Sequence, residues 1–281
     1  MAPDRLIALM VFIFGASVGS FVGVVAYRLP LGQSIVRPRS FCPACENPIP
    51  AWANVPIIGY FIVRGRCYRC GASIPIRDLL AEIALGFVAL YLFLNFPVAD
   101  AAARFVFCAA LFAVAMIDLD RWRIPLIITL PGIAIGLFAA TVMIPETGFV
   151  SSITGIVAGA GFLFIVGEVY RKIRGRDGIG LGDVWLIGMV GAFLGWPGVL
   201  FTLFAGSLLG SIGGLVYAIA GRVKTPRIMP SDEQSDENGL EDSATPDSIL
   251  LTAIPFGPFL ALAAAIFALF QPQLSDWYLL G

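Results

Sequence analysis

Eight apolar runs, each near the length that crosses a lipid bilayer, constrain this chain more than any other feature of its sequence. A helix needs about 20 apolar residues to span the hydrocarbon core. Charged residues make up only 13% of the 281 positions, about half the share in soluble domains, which indicates lipid as the main solvent. We predict an all-α membrane protein with about eight transmembrane helices, at approximately 6–27, 79–96, 101–117, 125–144, 148–170, 184–196, 198–220 and 249–270.

Two of these assignments have alternatives. Only a very tight turn around Pro197 separates the sixth run from the seventh, so one long re-entrant segment is the alternative to two spans there. For the first run the alternative is a signal peptide with small residues at 15–17 as its cleavage region, but the apolar stretch continues well past them and only Arg5, beside Asp4, precedes it.

Positive charge alternates between the loops. All of the 18 lysines and arginines except Arg5 and Arg104 follow the first, third, fifth or seventh span. Loops rich in lysine and arginine stay in the cytoplasm, so these loops are predicted to be cytoplasmic and both termini to face outward. The net charge of -1 gives no indication of a nucleic-acid partner.

Four cysteines in the first cytoplasmic loop have the spacing of a metal site. Two CxxC pairs, Cys42 with Cys45 and Cys67 with Cys70, match a four-thiolate zinc centre. Four thiolates leave no open coordination position, so the zinc is predicted to be structural and to fold a loop that lacks its own core. Disulfides or free thiols are the alternatives, and a reducing cytoplasm disfavours the disulfides. The fifth cysteine, Cys108, is predicted to pack inside a span.

Histidine is absent from the chain, which excludes a Ser-His-Asp triad, a Cys-His pair and a His-ligated catalytic zinc. Carboxylates must then supply most acid–base chemistry. Asp118 ends the third span and Asp183 opens the sixth, so both lie at the cytoplasmic boundary and can share one site. Such a pair holds one proton, and it can activate water while it polarises a peptide carbonyl. Gly180 and Gly182 leave room for a substrate backbone.

Other interpretations of these carboxylates stay open on the residues alone. Asp183 could be a helix N-cap. Asp120 competes with Asp118 for the catalytic role, and its alternative role is an ion pair with Arg121 or Arg123. Neither Glu82 nor Glu168 is assigned to catalysis; Glu168 is expected to line a polar cavity or to reach toward positive charges at the boundary.

The sequence predicts five segments and no internal repeat. Residues 1–28 form the first transmembrane helix and residues 29–78 the four-cysteine zinc loop. The transmembrane peptidase core is predicted at 79–222, a disordered acidic cytoplasmic linker at 223–248, and the last transmembrane helix with its tail at 249–281. The linker prediction rests on a polar, acidic stretch without aromatic residues.

Several motifs together give a family resemblance. The chain resembles the bacterial type IV prepilin peptidases, which are membrane aspartyl proteases of the GxGD type. The motifs run over nearly the whole sequence: Gly15–Phe21, Arg28–Pro30, the two cysteine pairs, Trp52–Pro56, Gly65–Cys67, Glu82, Asp118 with Ile124 and Pro125, Gly180–Asp183, Gly191–Gly195 and Ile254–Leu260. Leu126 and Trp185 stand where the family often has Asp or Asn and usually has Lys.

The resemblance implies that Asp118 and Asp183 are the catalytic pair, which places Asp118 ahead of Asp120. It implies cleavage of the short basic leaders of type IV prepilins and type II secretion pseudopilins at the cytoplasmic face of the bacterial inner membrane. It also implies methylation of the new amino terminus from S-adenosylmethionine. Two alternatives remain open: a peptidase without methyltransferase activity, and a non-catalytic membrane scaffold that uses its zinc loop to recruit secretion proteins.

Overall fold

The computed structural model describes residues 3–175, 180–219 and 255–279, and within these ranges every regular element is helical. Two isolated β-bridges occur in the loop between the first two long helices. The α-helices are α1 Pro3–Arg28, α2 Ile58–Ile62, α3 Ile76–Asn95, α4 Val98–Arg121, α5 Leu126–Val142, α6 Phe149–Arg174, α7 Leu181–Ile219 and α8 Gly257–Leu279.

Five of the described helices (α1, α3, α4, α6 and α7) are long and apolar enough to cross a membrane, while α5 and the apolar part of α8 are shorter. Because α7 is broken in its middle, the described residues contain eight apolar helical segments in the predicted order, which confirms the fold class. Boundaries shifted slightly: α3 begins at Ile76 rather than 79. Of the predicted eighth span, 249–254 lie outside the described residues, and Pro255 and Phe256 precede the helix instead of joining it.

The break in α7 is a reversal of the chain at Gly195, whose φ of 69° and ψ of -171° are not helical. A Cβ added at Gly198 would contact Phe267, far along α8, whereas one added at Gly213 would contact Phe259, near the start of α8. The second half of α7 therefore runs antiparallel to α8. Since α8 begins beside Asp118, the second half of α7 returns toward the end of the bundle from which the first half starts, as two spans joined by a tight turn require.

Glycines allow neighbouring helices to approach closely. On α1, a Cβ at Gly15 would lie 2.6 Å from the Cβ of Ala89, and one at Gly19 would lie 2.6 Å from the carbonyl oxygen of Ala81. A Cβ at Gly155 of α6 would lie 2.7 Å from the carbonyl carbon of Gly195 in α7. Small residues spaced four apart are the usual contact surface of membrane helices, because lipid provides no hydrophobic force between them.

Helix α4 lies at the centre of the main core. Its residues Phe107, Leu111 and Val114 are fully buried, and the Phe107 ring stacks on Phe193 of α7 with centroids 4.6 Å apart. The same helix carries Asp118 at its carboxyl end, so the packing of α4 against α7 and α8 fixes the height at which that carboxylate sits.

A buried ionic cluster closes the other end of the bundle. Arg104 of α4 is 0% exposed; its guanidinium donates to Asp100 at 2.6 Å, to the carbonyl oxygen of Ala268 at 2.7 Å and to Gln271 at 2.9 Å. It also pairs with Glu146 at 3.3 Å and lies 4.5 Å from the centre of a phenylalanine ring. These contacts fasten α4 to α8 and to the segment between α5 and α6.

Replacing Arg104 with Met should lower the free energy of unfolding by about 3–5 kcal/mol, because it leaves the Asp100 carboxylate buried without its partner. Lys172→Met is the control: its 3.9 Å pair with Glu168 is exposed and should contribute less than about 1 kcal/mol. Denaturation of each variant in detergent measures the difference. Adding Asp100→Asn to Arg104→Met should recover part of the loss; equal stabilities of Arg104→Met and Lys172→Met would contradict this role.

The predicted acidic linker at 223–248 lies outside the described residues.

Candidate active site

Asp118 occupies the last turn of α4 and is 5% exposed. The helix ends just beyond it, where Trp122 adopts a left-handed conformation and its N–H donates to the carbonyl oxygen of Asp118 at 2.9 Å. The Asp118 carboxylate accepts a hydrogen bond from the backbone N–H of Gly257 at the start of α8. A Cβ at Gly257 would lie 2.5 Å from Oδ2 of Asp118, so only glycine lets the α8 backbone reach this carboxylate.

Asp183 is the third residue of α7 and lies within the first turn of the helix. Its N–H donates to the carbonyl oxygen of Gly180 at 3.0 Å, and its carboxylate accepts from the N–H of Gly180. This reciprocal arrangement is the carboxylate half of a capping box. The N-cap alternative for Asp183 is therefore wrong: Gly180 holds the cap position, and Asp183 reaches back to it because its side chain has the length to do so.

Ile124 connects the surroundings of the two aspartates. A Cβ at Gly182, next to Asp183, would lie 2.7 Å from the Cβ of Ile124, and a Cβ at Gly257 would lie 3.2 Å from its Cδ1. The segment between α4 and α5 thus inserts one apolar side chain between two glycine backbones. Gly182 cannot carry a side chain here, whereas Gly180 has more room, with Oδ2 of Asp183 at 3.3 Å from its added Cβ.

Asp118 and Asp183, which are 65 positions apart in the sequence, lie on either side of Ile124, because Gly257 beside Asp118 and Gly182 beside Asp183 both pack on that side chain. Neither carboxylate forms an ion pair within the described ranges. Two carboxylates in one partly buried site resist ionising together and tend to share a proton. The arrangement can therefore offer a base for a water molecule and an acid for a carbonyl oxygen at the same place.

The remaining predicted carboxylates lie outside this pair. Asp120 is exposed and forms an ion pair with Arg77 of α3. The alternative of an ion pair with Arg121 or Arg123 is therefore wrong, because α3 brings Arg77 closer to Asp120 than these two chain neighbours come. Glu168 pairs with Arg171 at 2.6 Å and with Lys172 at 3.9 Å at the end of α6. Cys108 is fully buried inside α4, as predicted.

The four loop cysteines converge on one point. Their Sγ atoms all lie within 4.8 Å of one another, with Cys42 and Cys70 at 3.8 Å and Cys45 and Cys67 at 4.0 Å. Zinc–sulfur bonds of about 2.3 Å place tetrahedral sulfurs about 3.8 Å apart, so this set fits a structural zinc ion. Hydrogen bonds from the side chain and backbone of Asn47 lower the pKa of Cys45 to about 6, which favours the thiolate that a metal binds.

The two cysteine pairs form a local repeat that sequence analysis missed. The N–H of Cys42 donates to Asn47 and that of Cys67 to Ala72, at 3.0 and 2.8 Å. The residue after each pair, Glu46 or Gly71, has a positive φ, 57° and 73°. The two isolated β-bridges, Phe41–Pro48 and Arg66–Ser73, each join the residue just before a cysteine pair to a residue seven positions further on. The signal was available in the equal spacing of the CxxC pairs, but only Gly71 marked the left-handed position in the sequence.

Two further residues organise the loop and were not assigned. Arg28, buried at the end of α1, donates to the carbonyl oxygens of Ser34, Pro38 and Arg39 at 2.8–3.1 Å. Glu82 of α3 accepts the N–H of Ile57 at 2.6 Å. Both residues hold the four-cysteine loop against α1 and α3. In the sequence, the position of Arg28 at the end of an apolar helix was the signal that could have identified it.

Comparison with known protein families places two matches on the chain. Residues 13–96 match the bacterial peptidase A24 N-terminal domain, and residues 105–215 match the type IV leader peptidase family. The first match contains the four cysteines, and the second contains Asp118 and Asp183.

Curated relatives cover almost the full chain. A protein of Myxococcus xanthus is 31% identical, with 96% of this chain and 92% of the relative aligned. Proteins of Stutzerimonas stutzeri and Pseudomonas putida are 31% and 30% identical, over 96% and 100% of this chain and 93% and 97% of their own lengths. All three are named prepilin leader peptidase/N-methyltransferase. No solved structure matches the chain.

Proposed function

The chain belongs to the type IV leader peptidase family, and we propose that it cleaves the leaders of type IV prepilins and methylates the amino termini thus exposed. The observation that supports the peptidase half is that Asp118 and Asp183, two carboxylates with no ion pair among the residues that the structure describes, lie on either side of Ile124 in a site with glycine walls. The names of the relatives support the second half of the proposal.

In the proposed cleavage, the ionised member of the aspartate pair takes a proton from water as the water oxygen attacks the scissile carbonyl carbon. The protonated member donates a hydrogen bond to the carbonyl oxygen. When the carbon–nitrogen bond breaks, the leaving nitrogen takes a proton and departs as the new amino terminus. Neither aspartate is given a fixed role, because the pair titrates as a unit. An extended substrate backbone is proposed to pass at Gly180, where an added Cβ would meet nothing closer than Oδ2 of Asp183 at 3.3 Å. The expectation that Gly182 also leaves room is wrong, because Gly182 packs against Ile124.

The site is proposed to face the cytoplasm of a bacterium whose inner membrane holds the helices. Alternating positive charge supports this orientation, since Arg77, Arg121 and Arg123 stand at the same end of the bundle as Asp118. Prepilins and the related pseudopilins of type II secretion are the proposed substrates. Their basic leaders would stay on this side of the membrane, where the cut is made.

Methylation requires a methyl donor, and S-adenosylmethionine is the proposed one; it supplies a methyl group on a positively charged sulfur. When bound, S-adenosylmethionine would supply this methyl group to the neutral amine of the newly exposed terminus and would leave as a neutral thioether. The amine then loses one proton to a base.

The segments are proposed to divide this work. The four-cysteine segment at 29–78 is a zinc-stabilised module on the cytoplasmic side, and residues 79–222 contain the peptidase core. Residues 223–248 connect that core to the last span at 249–281. Cys42, Cys45, Cys67 and Cys70 would hold the zinc, whose closed coordination gives it a structural task.

Incubating the purified chain with a prepilin and methyl-labelled S-adenosylmethionine tests the proposal. We expect the leader to be removed and the label to appear on the amino terminus of the mature pilin. Cleavage without label would contradict the methyltransferase half and leave a peptidase. Absence of cleavage by a folded protein would contradict the peptidase half and favour a scaffold that recruits secretion proteins.

A further inference from the structure

The short helix α2 of the four-cysteine loop exposes an apolar surface. Ile58, Phe61 and Ile62 lie on one side of the helix, and each is more than half exposed. On the other side Gly59 is buried, and a Cβ there would lie 2.4 Å from the carbonyl oxygen of Ala53. The three exposed side chains form a contiguous apolar patch, the α2 face, and such patches mark a surface that contacts a partner or a membrane.

A hydrogen bond holds α2 at the level of the membrane boundary. The N–H of Ile57, directly before α2, donates to Glu82 of α3 at 2.6 Å. Helix α3 has 20 residues, which gives a length of about 30 Å and therefore just spans the hydrocarbon core. Glu82 lies about 9 Å along this helix from its first residue, Ile76. The start of α2 is thus fastened beside a part of α3 that is needed to cross the apolar layer.

The orientation of α2 is fixed at both of its ends. Ile57 before the helix and Arg64 after it have φ of 63° and 55°, values that residues other than glycine rarely adopt and that persist only where the surrounding structure requires them. Tyr60, inside α2, packs on Gly65, where an added Cβ would lie 2.8 Å from the tyrosine hydroxyl oxygen. The inner side of the helix is therefore held against the loop, and the α2 face is held outward.

Aromatic and basic residues accompany the α2 face. Trp52 is half exposed and its ring lies edge to face on Tyr68, with centroids 5.9 Å apart; these two residue types are enriched where a membrane meets water. Arg64 is exposed and forms no ion pair among the residues that the structure describes. Residues 29–78 contain six arginines and two acidic residues, a net charge of +4. Apolar side chains beside uncompensated positive charge suit a surface of anionic lipid.

We propose that α2 is an interfacial anchor: the α2 face inserts among the lipids of the cytoplasmic leaflet, and Arg64 binds their anionic headgroups. The four-cysteine loop is then attached to the membrane at a point of its own, in addition to the spans on either side of it. A second copy of the chain would bring the same positive loop to this face, and a prepilin would bring its basic leader. Like charges disfavour both of these occupants, whereas an anionic leaflet attracts the loop.

Photo-crosslinking of the full chain in lipid vesicles tests the anchor. Phe61→p-benzoylphenylalanine puts a photoreactive group on the α2 face, and mass spectrometry counts the lipid adducts. We expect about fivefold more adducts than from the same substitution at Val36, an exposed residue elsewhere in the loop, and nearly as many as from Phe204, which is exposed on α7. The same substitution at Ile62 should repeat the result. Zinc content, measured for each loop variant, shows that the loop is folded.

A second measurement tests the headgroups in vesicles of equal phosphatidylglycerol and phosphatidylcholine. Arg64→Gln should lower the ratio of anionic to neutral adducts at Phe61 by about fivefold, the effect of one basic residue near an anionic surface. Arg174→Gln, at the end of α6, is the control and should leave the ratio unchanged. An unchanged ratio in Arg64→Gln would overturn the headgroup assignment.

Three results would overturn the anchor itself. The first is a yield of lipid adducts at Phe61 no higher than at Val36. The second is cross-linking of Phe61 to another copy of the chain in place of lipid, which would make the α2 face a contact between copies. The third is replacement of the lipid adducts by prepilin adducts when prepilin is added, which would assign the α2 face to the substrate.

Discussion

Asp183→Asn and Asp118→Asn should each reduce prepilin cleavage by about 10³-fold or more, the range for loss of a general acid or base. Each substitution preserves shape and keeps a side-chain oxygen that accepts the N–H of Gly180 or Gly257. The structural hydrogen bonds can therefore survive while the shared proton is lost. The double variant should be no slower than either single variant, because the two carboxylates act as one unit. Leader removal by purified protein, followed by gel shift, measures all three.

Asp120→Asn is the matched control for this prediction. Asp120 lies two positions from Asp118 on the same helix end, but it is exposed and paired with Arg77, so its loss should leave cleavage within about threefold of the original rate. Substantial cleavage by Asp118→Asn or Asp183→Asn would remove the aspartate pair from the mechanism. A rate loss in Asp120→Asn equal to that of Asp118→Asn would leave no reason to prefer Asp118.

Hydropathy and charge were sufficient to predict the helical segments and their order, because lipid requires long apolar helices and leaves few alternatives. The tight turn between the sixth and seventh spans was predictable from Pro197 and the flanking glycines. That the reversal occurs at Gly195 was not, since its left-handed φ depends on the contacts that both halves of α7 make. Helix ends were the weakest part, as at Ile76.

The aspartate pair could be proposed from sequence because histidine is missing and both residues end or begin an apolar span. The parts that bring the pair together could not. Ile124 and Gly257 belong to motifs that the sequence shows, but the contact between them becomes visible only when α4, α7 and α8 are placed side by side. Pairwise packing of this kind leaves no periodic signal in one sequence.

Ion pairs across the bundle were also beyond sequence reasoning. In the sequence, Arg104 stands out only as a positive charge at the end of the bundle that is predicted to face away from the cytoplasm. The structure places it fully buried among Asp100, Gln271 and Glu146. Asp120 was matched to arginines nearby in sequence, whereas Arg77 reaches it from another helix. Long side chains choose partners by three-dimensional distance, so nearness along the chain misleads at helix ends.

Removing zinc should unfold the four-cysteine loop while the helical bundle remains. The regular structure of the loop is limited to two short 3₁₀ helices and the five-residue α2. Its backbone hydrogen bonds cluster around the two cysteine pairs. Structural zinc contributes about 10–16 kcal/mol of apparent binding free energy in small zinc peptides, far more than these turns can supply. Replacing all four cysteines with serine should therefore make trypsin cut at the loop arginines at least tenfold faster, as followed by mass spectrometry.

The fifth cysteine provides the control, since Cys108→Ser lies inside α4 and should leave both the zinc content and the loop's resistance to trypsin unchanged. Leader cleavage is proposed to use Asp118 and Asp183, which α4, α7 and α8 hold, so in the four-serine variant it should fall less than the loop's resistance to trypsin does. A four-serine variant that resists trypsin as the original chain does would show that the loop folds without metal.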